Sequence, residues 1–239
     1  MIIITTIITS ILAVYFLYSI CATIMIRTFS KKIVRTINKK YGVLLTFDDG
    51  PHPEYTRRLL NLLKKYQIKS VFFVVGELVE HHPDIIQQMY DEGHMIGIHH
   101  NRHTSNWLLT PFQTMSEIRQ TYQKIKKVID QEVIVYRPPW GHFNLFTLQM
   151  SNGLHTVMWS QIYKDWKVKN HRLDALLNEP PSDGAIILLH DNGDTKGADH
   201  TAPLEMLRYL EKYLQQCKQK QQTFANPYDV FGQKEGKAI

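Results

Sequence analysis

After residue 40, the hydrophobic positions fall into short apolar runs separated by longer amphipathic segments. The runs are rich in β-branched and aromatic residues and too brief for helices, which is typical of buried strands. They are Val43–Phe47, Ser70–Gly76, Met95–Ile98, Val133–Tyr136, His155–Trp159, Ala185–His190 and a weaker run at Tyr228–Phe231. The pattern therefore predicts a series of buried strands, each followed by a connecting segment.

The connecting segments carry apolar residues at helical spacing. The predicted helices are Tyr55–Tyr66, Pro83–Glu92, Pro111–Ile129, Leu145–Ser151, Arg172–Leu177 and Pro203–Gln219. Strands and helices in strict alternation predict an α/β fold of parallel βα units, and about seven such units in one domain indicate a TIM-like barrel more than an open sheet. In such a barrel, polar groups that follow the strands meet at one edge, so these are the candidates for function.

The N-terminal stretch from Ile2 to Ile26 has a different pattern, because it is apolar throughout and contains no charged residue. As a helix it would be about 37 Å long, enough to cross a bilayer. A cleaved signal peptide is the alternative, but no basic residue precedes the run, and the run is longer than an ordinary signal core. The sequence predicts a transmembrane anchor and basic juxtamembrane segment over residues 1–40 and a folded domain over 41–239.

Charge is unevenly distributed along the chain. The formal net charge is +6, but residues 1–40 hold six basic residues and no acid: Arg27, Lys31, Lys32, Arg35, Lys39 and Lys40. The rest of the chain is neutral, so the basic pI of the whole protein does not indicate a nucleic-acid partner. The two cysteines, Cys21 and Cys217, exclude a disulfide framework or a cysteine metal cluster. Any metal site must use histidines and carboxylates.

The first predicted strand ends in two adjacent carboxylates, Asp48 and Asp49, followed by Gly50-Pro51. The two aspartates repel each other and are held in one loop by the turn, so a nearby cation is expected to compensate them. A plain turn capped by an aspartate is the alternative.

Three histidines follow the third predicted strand. His99 and His103 are four residues apart, which on a helical turn would place both imidazoles on one face, where they can chelate a metal. His100 with His103 is a second possible pairing, and an exposed histidine cluster is a third interpretation. Together with Asp49, two histidines and one carboxylate form a ligand set typical of catalytic zinc.

Two further strand ends carry candidate chemistry. Arg137 lies before Pro138-Pro139, which stiffen the loop, and it is the expected cation beside the aspartates. His190 follows the sixth predicted strand and is either a buried structural histidine or an acid–base catalyst. Asp165, in the loop after the fifth strand, is expected to hold the second nitrogen of His190, which favours the catalytic role.

In this order the residues resemble the polysaccharide deacetylase family, whose module is the NodB-homology domain of carbohydrate esterase family four. The matching motifs are Thr46–Pro51, His99–Thr104, Arg137–Gly141, Asp165-Trp166 and Leu188–His190. Five ordered motifs are far more specific than any one. The resemblance covers roughly residues 41–232 and implies a distorted barrel and metal-dependent removal of acetyl groups from N-acetylated sugars.

The resemblance also implies a role for each matching residue. The metal ligands would be Asp49, His99 and His103. The catalytic groups would be Asp48 as general base, Arg137 orienting Asp48, His190 as acid for the departing amine, and Asp165 setting the basicity of His190. The backbone N–H of Trp140 would stabilise the oxyanion, and Trp166 and Leu188 would line the acetyl pocket. Two positions depart from the family pattern: Ile162 replaces an aspartate, and His100 replaces a serine or threonine, which leaves the choice between His99 and His100 open.

The sequence therefore predicts a metal-dependent N-deacetylase of a glycan such as peptidoglycan or a chitin-like oligosaccharide. An O-acetyl esterase and a catalytically silent glycan-binding domain are the alternatives. Zinc is the expected metal, with cobalt or manganese as substitutes. The expected location is the cell membrane, with one span and an extracellular catalytic domain, although the basic flank alone favours the opposite orientation.

Overall fold

A curved sheet carries the strand ends on which the candidate site depends. The computed structural model describes residues 1–168 and 172–232, and within them eight strands form one sheet. The strands are β1 (Ile33–Val34), β2 (Leu44–Asp48), β3 (Val71–Val74), β4 (Met95–Ile98), β5 (Val135–Tyr136), β6 (His155–Val157), β7 (Gln161–Ile162) and β8 (Ile186–His190). Their order is β1-β6-β5-β4-β3-β2-β8-β7, with every neighbouring pair parallel.

The sheet curves into a half-barrel. An isolated bridge joins Thr36, just after β1, to Ala185, just before β8, so the two flanks of the sheet approach each other. The predicted α/β class and distorted barrel are confirmed.

Helices cover the outside of the sheet. They are α3 (Tyr55–Lys65), α4 (Gly76–His81), α5 (Pro83–Asp91), α6 (Pro111–Ile129), α7 (Thr147–Met150), α8 (Leu173–Asn178), α9 (Ala202–Gln219) and α10 (Pro227–Phe231). Local sequence explains the boundaries of α6: Thr110 and Gln113 form a capping box at its start, and Asp130 ends it in the left-handed conformation. The six predicted helices are confirmed to within a few residues at each end.

The alternation of side chains along β2 links the core to the site. Leu45 and Phe47 pack in the cluster shared with the helices, whereas Leu44 packs in the cluster inside the half-barrel. With a period of two, Thr46 and Asp48 also point inward. All five residues of the strand are buried, so Asp48 lies in the interior of the half-barrel, at the carboxyl end of the strand.

The weak strand predicted at Tyr228–Phe231 is wrong, because these residues lie in α10. Asn226 accepts a hydrogen bond from the backbone N–H of Tyr228, and Pro227 occupies the first helical position. A run of four apolar residues is too short to show the period of a helix or of a strand, so the cap and the proline decide its structure.

The N-terminal residues form a continuous helix through α1 (Ile2–Phe16), a π-helical turn (Leu17–Cys21) and α2 (Ala22–Phe29). By length and composition the helix can cross a membrane, and a signal sequence near the N-terminus has the same properties. The division of the chain at residue 40 stays a prediction, and β1 lies on its N-terminal side.

Candidate active site

The carboxyl ends of the parallel strands meet at one edge of the half-barrel, around a cavity of about 320 Å³. Its walls include Asp48, Asp49, His99, His103, Trp140, Trp166, Leu188 and His190. The two remaining predicted residues, Arg137 and Asp165, are each bonded to a residue of the wall. The structure thus brings every predicted site residue to one place.

Asp49, His99 and His103 form a cluster suited to a metal ion, since one ligand atom from each lies within 4.8 Å of the others. Asp49 Oδ1 lies 3.3 Å from His99 Nε2 and 3.0 Å from His103 Nε2. Burial alone would raise the pKa of Asp49, but the charge and hydrogen bond of His103, with the hydrogen bond of His99, hold it well below its usual value. Asp49 is therefore an anion, as a ligand must be.

The tautomer of His99 supports the same assignment. Its Nδ1 lies 2.8 Å from the backbone oxygen of Arg137, which can only accept, so Nδ1 carries the proton. A histidine that binds a metal must be neutral, and in the neutral His99 imidazole Nε2 directs a lone pair toward the Asp49 carboxylate. A cation between these two electron-pair donors removes their repulsion, so the donor set fits a divalent metal.

A buried glutamate of α6 positions the loop that carries His103. Glu117 Oε2 accepts the backbone N–H groups of Asn101 and Arg102, both at 2.9 Å. The loop is not the helical turn that the histidine spacing suggested, because His103 has a positive φ of 48°. His99 and His103 meet through this irregular loop rather than through the periodicity of a helix.

His100 lies outside the cluster, which resolves the alternative pairing. Its Nδ1 lies 2.7 Å from the backbone oxygen of Thr104, and its Nε2 lies 2.8 Å from the hydroxyl of Tyr136. Burial lowers the pKa of His100 to about 3. With both nitrogens engaged, His100 is a neutral structural histidine that holds the loop to β5.

Arg137 and Asp48 form a fully buried ion pair behind the cavity. Arg137 Nη1 donates to Asp48 Oδ1 at 2.7 Å and to the Thr46 hydroxyl at 2.8 Å. Arg137 also donates from Nε to the Val157 carbonyl and from Nη2 to the Met158 carbonyl. Such a network fixes both partners, and it leaves Asp48 Oδ2 on the side of His99, 3.8 Å from His99 Nε2.

A second charged pair, His190 and Asp165, completes the polar groups of the site. Asp165 Oδ1 lies 2.9 Å from His190 Nδ1, and Asp165 Oδ2 accepts the backbone N–H of His190 at 2.6 Å. Burial alone would lower the pKa of His190, but Asp165, with Asp49 and Asp48, outweighs it and raises the pKa to about 9. His190 is therefore protonated at neutral pH, and Nε2 is the nitrogen that can serve the cavity.

Aromatic and aliphatic side chains form the rest of the wall. The Trp140 ring packs on His103 with centroids 4.3 Å apart, and Trp166 meets His190 edge to face at 5.1 Å. Trp140 and Gly141 both have positive φ, and a Cβ at Gly141 would lie 2.7 Å from the Trp159 ring. The tight turn therefore requires glycine where the loop crosses Trp159.

Sequence reasoning missed several residues of the site. The Thr195 hydroxyl donates to Asp49 Oδ2 at 2.7 Å, and Thr195, Lys196 and Trp159 line the cavity. Thr195 and Lys196 lie in the loop before α9. This loop has no pattern of apolar residues that would have drawn attention to them. Glu117 was detectable in principle, as an acidic residue on the apolar face of a predicted helix.

The fold is that of a polysaccharide deacetylase. The family model described as "Polysaccharide deacetylase" matches residues 35–159, and the chain belongs to this family.

Curated relatives agree with this assignment. A peptidoglycan-N-acetylglucosamine deacetylase of Bacillus cereus is 32% identical over 73% of this chain and 84% of its own length. The peptidoglycan-N-acetylmuramic acid deacetylase PdaA of Bacillus subtilis is 34% identical over 64% of this chain and 60% of its own length. The chain also spans 63% of an uncharacterised 30.6 kDa protein of Geobacillus stearothermophilus.

Solved structures share the architecture. The Bc1960 peptidoglycan N-acetylglucosamine deacetylase has a TM-score of 0.75 at 25% identity and covers 86% of this chain, with 95% of its own chain matched. The structure of Bacillus subtilis PdaA, a family 4 carbohydrate esterase, has a TM-score of 0.71 at 29% identity over 86% of each chain.

Proposed function

We propose that this chain hydrolyses the N-acetyl groups of N-acetylated amino sugars in a glycan such as peptidoglycan or a chitin-like oligosaccharide. The observation that carries the proposal is that one cavity holds both a buried carboxylate, which can accept a proton, and a protonated histidine, which can donate one. Asp48, held by Arg137, lies beside the Asp49, His99 and His103 cluster, and the protonated His190, held by Asp165, also lines the cavity. Amide hydrolysis needs both a base and an acid.

Asp49, His99 and His103 would hold a divalent metal, and zinc suits two histidines and a carboxylate best. When bound, such an ion supplies Lewis acidity and favours ionisation of water near pH 7. Cobalt and manganese are the expected substitutes. Thr195 fixes the second oxygen of Asp49, so the carboxylate is oriented before any ion binds.

Asp48 is assigned as the general base that takes a proton from the attacking water. Arg137 neutralises and orients it, and the bond from Arg137 to Oδ1 leaves Oδ2 to accept that proton. A base fixed by a buried network needs little reorganisation during the reaction.

His190 is assigned as the general acid that protonates the departing amine. Asp165 keeps the imidazole charged and fixes its orientation, so Nε2 carries the proton to be donated. An amine is a poor leaving group without protonation, which is why an amide substrate needs this residue.

The remaining predicted residues shape the acyl site. The backbone N–H of Trp140 would stabilise the developing oxyanion, and Trp166 and Leu188 would receive the acetyl methyl group. Trp166 and Leu188 line the same cavity as His190, which suits a small apolar group held beside the acid.

A side-by-side assay on an N-acetylated oligosaccharide and an activated acetyl ester tests this function. The wild type should cleave both, and His190→Ala should lose far more activity on the amide than on the ester, because a good leaving group does not need the proton. Wild-type activity on the ester alone would favour an O-acetyl esterase. No turnover of either substrate by the metal-loaded protein would favour a silent glycan-binding domain.

The proposal includes a membrane anchor, with the N-terminal helix as one span and the catalytic domain outside the cell, where wall glycans lie. The helix is long and apolar enough for one span, and large domains can translocate despite a basic flank. Protease added to intact cells should digest the domain. Full protection of the domain would contradict this orientation.

A further inference from the structure

The second half of the N-terminal helix is bonded to the catalytic domain near the cavity. The Tyr18 hydroxyl donates to the Leu109 carbonyl at 2.6 Å. The Thr23 hydroxyl donates to the Phe143 carbonyl at 2.7 Å and accepts the indole N–H of Trp107 at 2.8 Å. Ser19 and Thr23 are buried. From Tyr18 onward, the helix is therefore held as part of the domain.

The first half of the helix has no such cover, since residues 2–17 are all exposed. At about 1.5 Å per residue, this part is about 24 Å long, which is most of the roughly 30 Å thickness of the hydrocarbon core of a bilayer. Because the exposed part continues directly into the docked part, a bilayer that contains the exposed part lies close to the adjoining face of the domain.

That face is apolar. Leu108 and Phe112 are 72% and 77% exposed, and Leu145 and Phe146 are 62% and 37% exposed. Both pairs adjoin Tyr18: its hydroxyl bonds Leu109, its carbonyl accepts the backbone N–H of Leu145 at 3.0 Å, and its ring lies 6.3 Å from that of Phe146. These four residues, here called the collar, surround the point where the helix leaves the domain.

We propose that the collar is a membrane-docking surface that inserts into the lipid interface beside the anchor. An interfacial amphipathic surface buries its apolar residues about 5–10 Å into the boundary between head groups and acyl chains. The inference rests on the membrane anchor in the proposed function and is independent of the deacetylase chemistry.

The order of residues along the helix agrees with this depth. Thr23, with the Trp107 indole bonded to it, lies about 8 Å beyond Tyr18 along the helix axis, near the membrane–water interface that tryptophan favours. Arg27 follows at about 14 Å beyond Tyr18, at the level of the head groups, and begins the basic segment that an anionic surface attracts.

The docking also fixes the distance of the active site from the membrane surface. The Arg27 guanidinium lies 5.1 Å from the ring centre of Trp159, and Trp159 lines the cavity. The cavity therefore lies close to the head groups, and the glycan that enters it lies against the membrane surface.

Fluorescence quenching of the full chain in lipid vesicles tests the inference. With Cys21 and Cys217 replaced by serine and alanine, one bimane label is placed at a time through Phe112→Cys, Leu145→Cys or Leu204→Cys. Leu204 is the matched control, an exposed leucine of α9, which packs on α3, α8 and β8 away from the collar. The vesicles contain phosphatidylcholine and phosphatidylglycerol, with a nitroxide near the top of the acyl chain.

We expect quenching at positions 112 and 145 to be several times that at position 204. Equal quenching at the three positions would overturn the docking surface. A label introduced by Ile8→Cys, probed with a nitroxide deep in the acyl chain, reports on the anchor, and its lack of quenching would overturn the anchor and the docking surface together. Efficient disulfide formation between two Phe112→Cys chains, in place of quenching, would assign the collar to a second copy. Deacetylation of a soluble oligosaccharide is measured separately, so failure of the docking and failure of the enzyme are distinguished.

Discussion

Removing the negative charge of Asp165 gives the sharpest prediction about the chemistry. Asp165 contacts His190 through both carboxylate oxygens, at 2.9 Å to Nδ1 and 2.6 Å to the backbone N–H. The Asp165→Asn variant keeps the size of the side chain and removes its charge. Its amide has only one acceptor oxygen, so one of the two donors of His190 also loses its partner.

The magnitude follows from the pairing. An opposite charge in close contact shifts the pKa of a titrating group by about 1 to 3 units, which corresponds to about 1.4 to 4 kcal/mol of stabilisation of the charged form. The pKa of His190 is raised to about 9, against the lowering effect of burial, with Asp165 the main cause. In Asp165→Asn we therefore expect this pKa to fall by at least about one unit.

The assay is the pH dependence of kcat/KM for an N-acetylated oligosaccharide. His190 must be protonated to act as the acid, so the alkaline limb should move to lower pH in Asp165→Asn. A bound metal ion shifts the alkaline limb of the wild type and of the variant alike. The quantity compared is therefore the difference in the pH of this limb between the two proteins. Glu211→Gln is the control, because Glu211 is a half-exposed carboxylate of α9 that pairs with Lys65 of α3 at 2.7 Å and does not line the cavity.

Stability gives a second readout with a defined sign. Because the pKa of His190 is raised in the folded state, its stabilising contribution is complete below pH 6.5 and is lost as the pH rises through about 9. The free energy of unfolding of the wild type should fall over this window more than that of Asp165→Asn. If the variant keeps both the alkaline limb and the stability profile of the wild type, Asp165 does not control the protonation of His190.

Three other predictions concern the cluster and the cavity. Asp49→Ala and His103→Ala should each lose bound metal, measured by elemental analysis after dialysis, and retention of a full equivalent would contradict the ligand assignment. Asp48→Asn should keep the metal and lose activity on every substrate. A variant that hydrolyses substrate at the wild-type rate would show that Asp48 is not the general base. Gly141→Ala should lower the free energy of unfolding by about 1–3 kcal/mol, because its Cβ would lie 2.7 Å from Trp159. Denaturant unfolding measures the loss, and an unchanged midpoint would show that the loop relaxes.

The topology explains why the sequence was sufficient to predict which residues meet at the cavity. In a parallel sheet, all carboxyl ends of strands lie at one edge, so residues far apart in sequence, such as Asp48 and His190, are brought together by the strands that precede them. The pairing of β2 and β8 aligns Asp48 with His190 directly. A short apolar run followed by a polar residue was therefore an adequate guide to both the strand and its chemistry.

Other features left no comparable pattern. Thr195 contacts Asp49 from a loop whose path depends on tertiary packing. Strands β1 and β7 have only two residues each, too few to show a period. The histidine spacing suggested a helical turn, yet the loop depends on Glu117, which binds its backbone from another element. Docking of the N-terminal helix rests on Tyr18 and Thr23, polar residues that an apolar span does not single out.

Analysis of the products tests the central claim most directly. The purified, metal-loaded chain is incubated with N-acetylated chitin oligosaccharides and with peptidoglycan fragments, and the glycans are examined by mass spectrometry while released acetate is measured. We predict loss of acetyl groups from the sugars, one acetate released for each group lost, and neither change with Asp48→Asn. Intact glycans and no acetate from the wild type, under conditions in which the peptidoglycan-N-acetylglucosamine deacetylase of B. cereus releases acetate from the peptidoglycan fragments, would contradict the account.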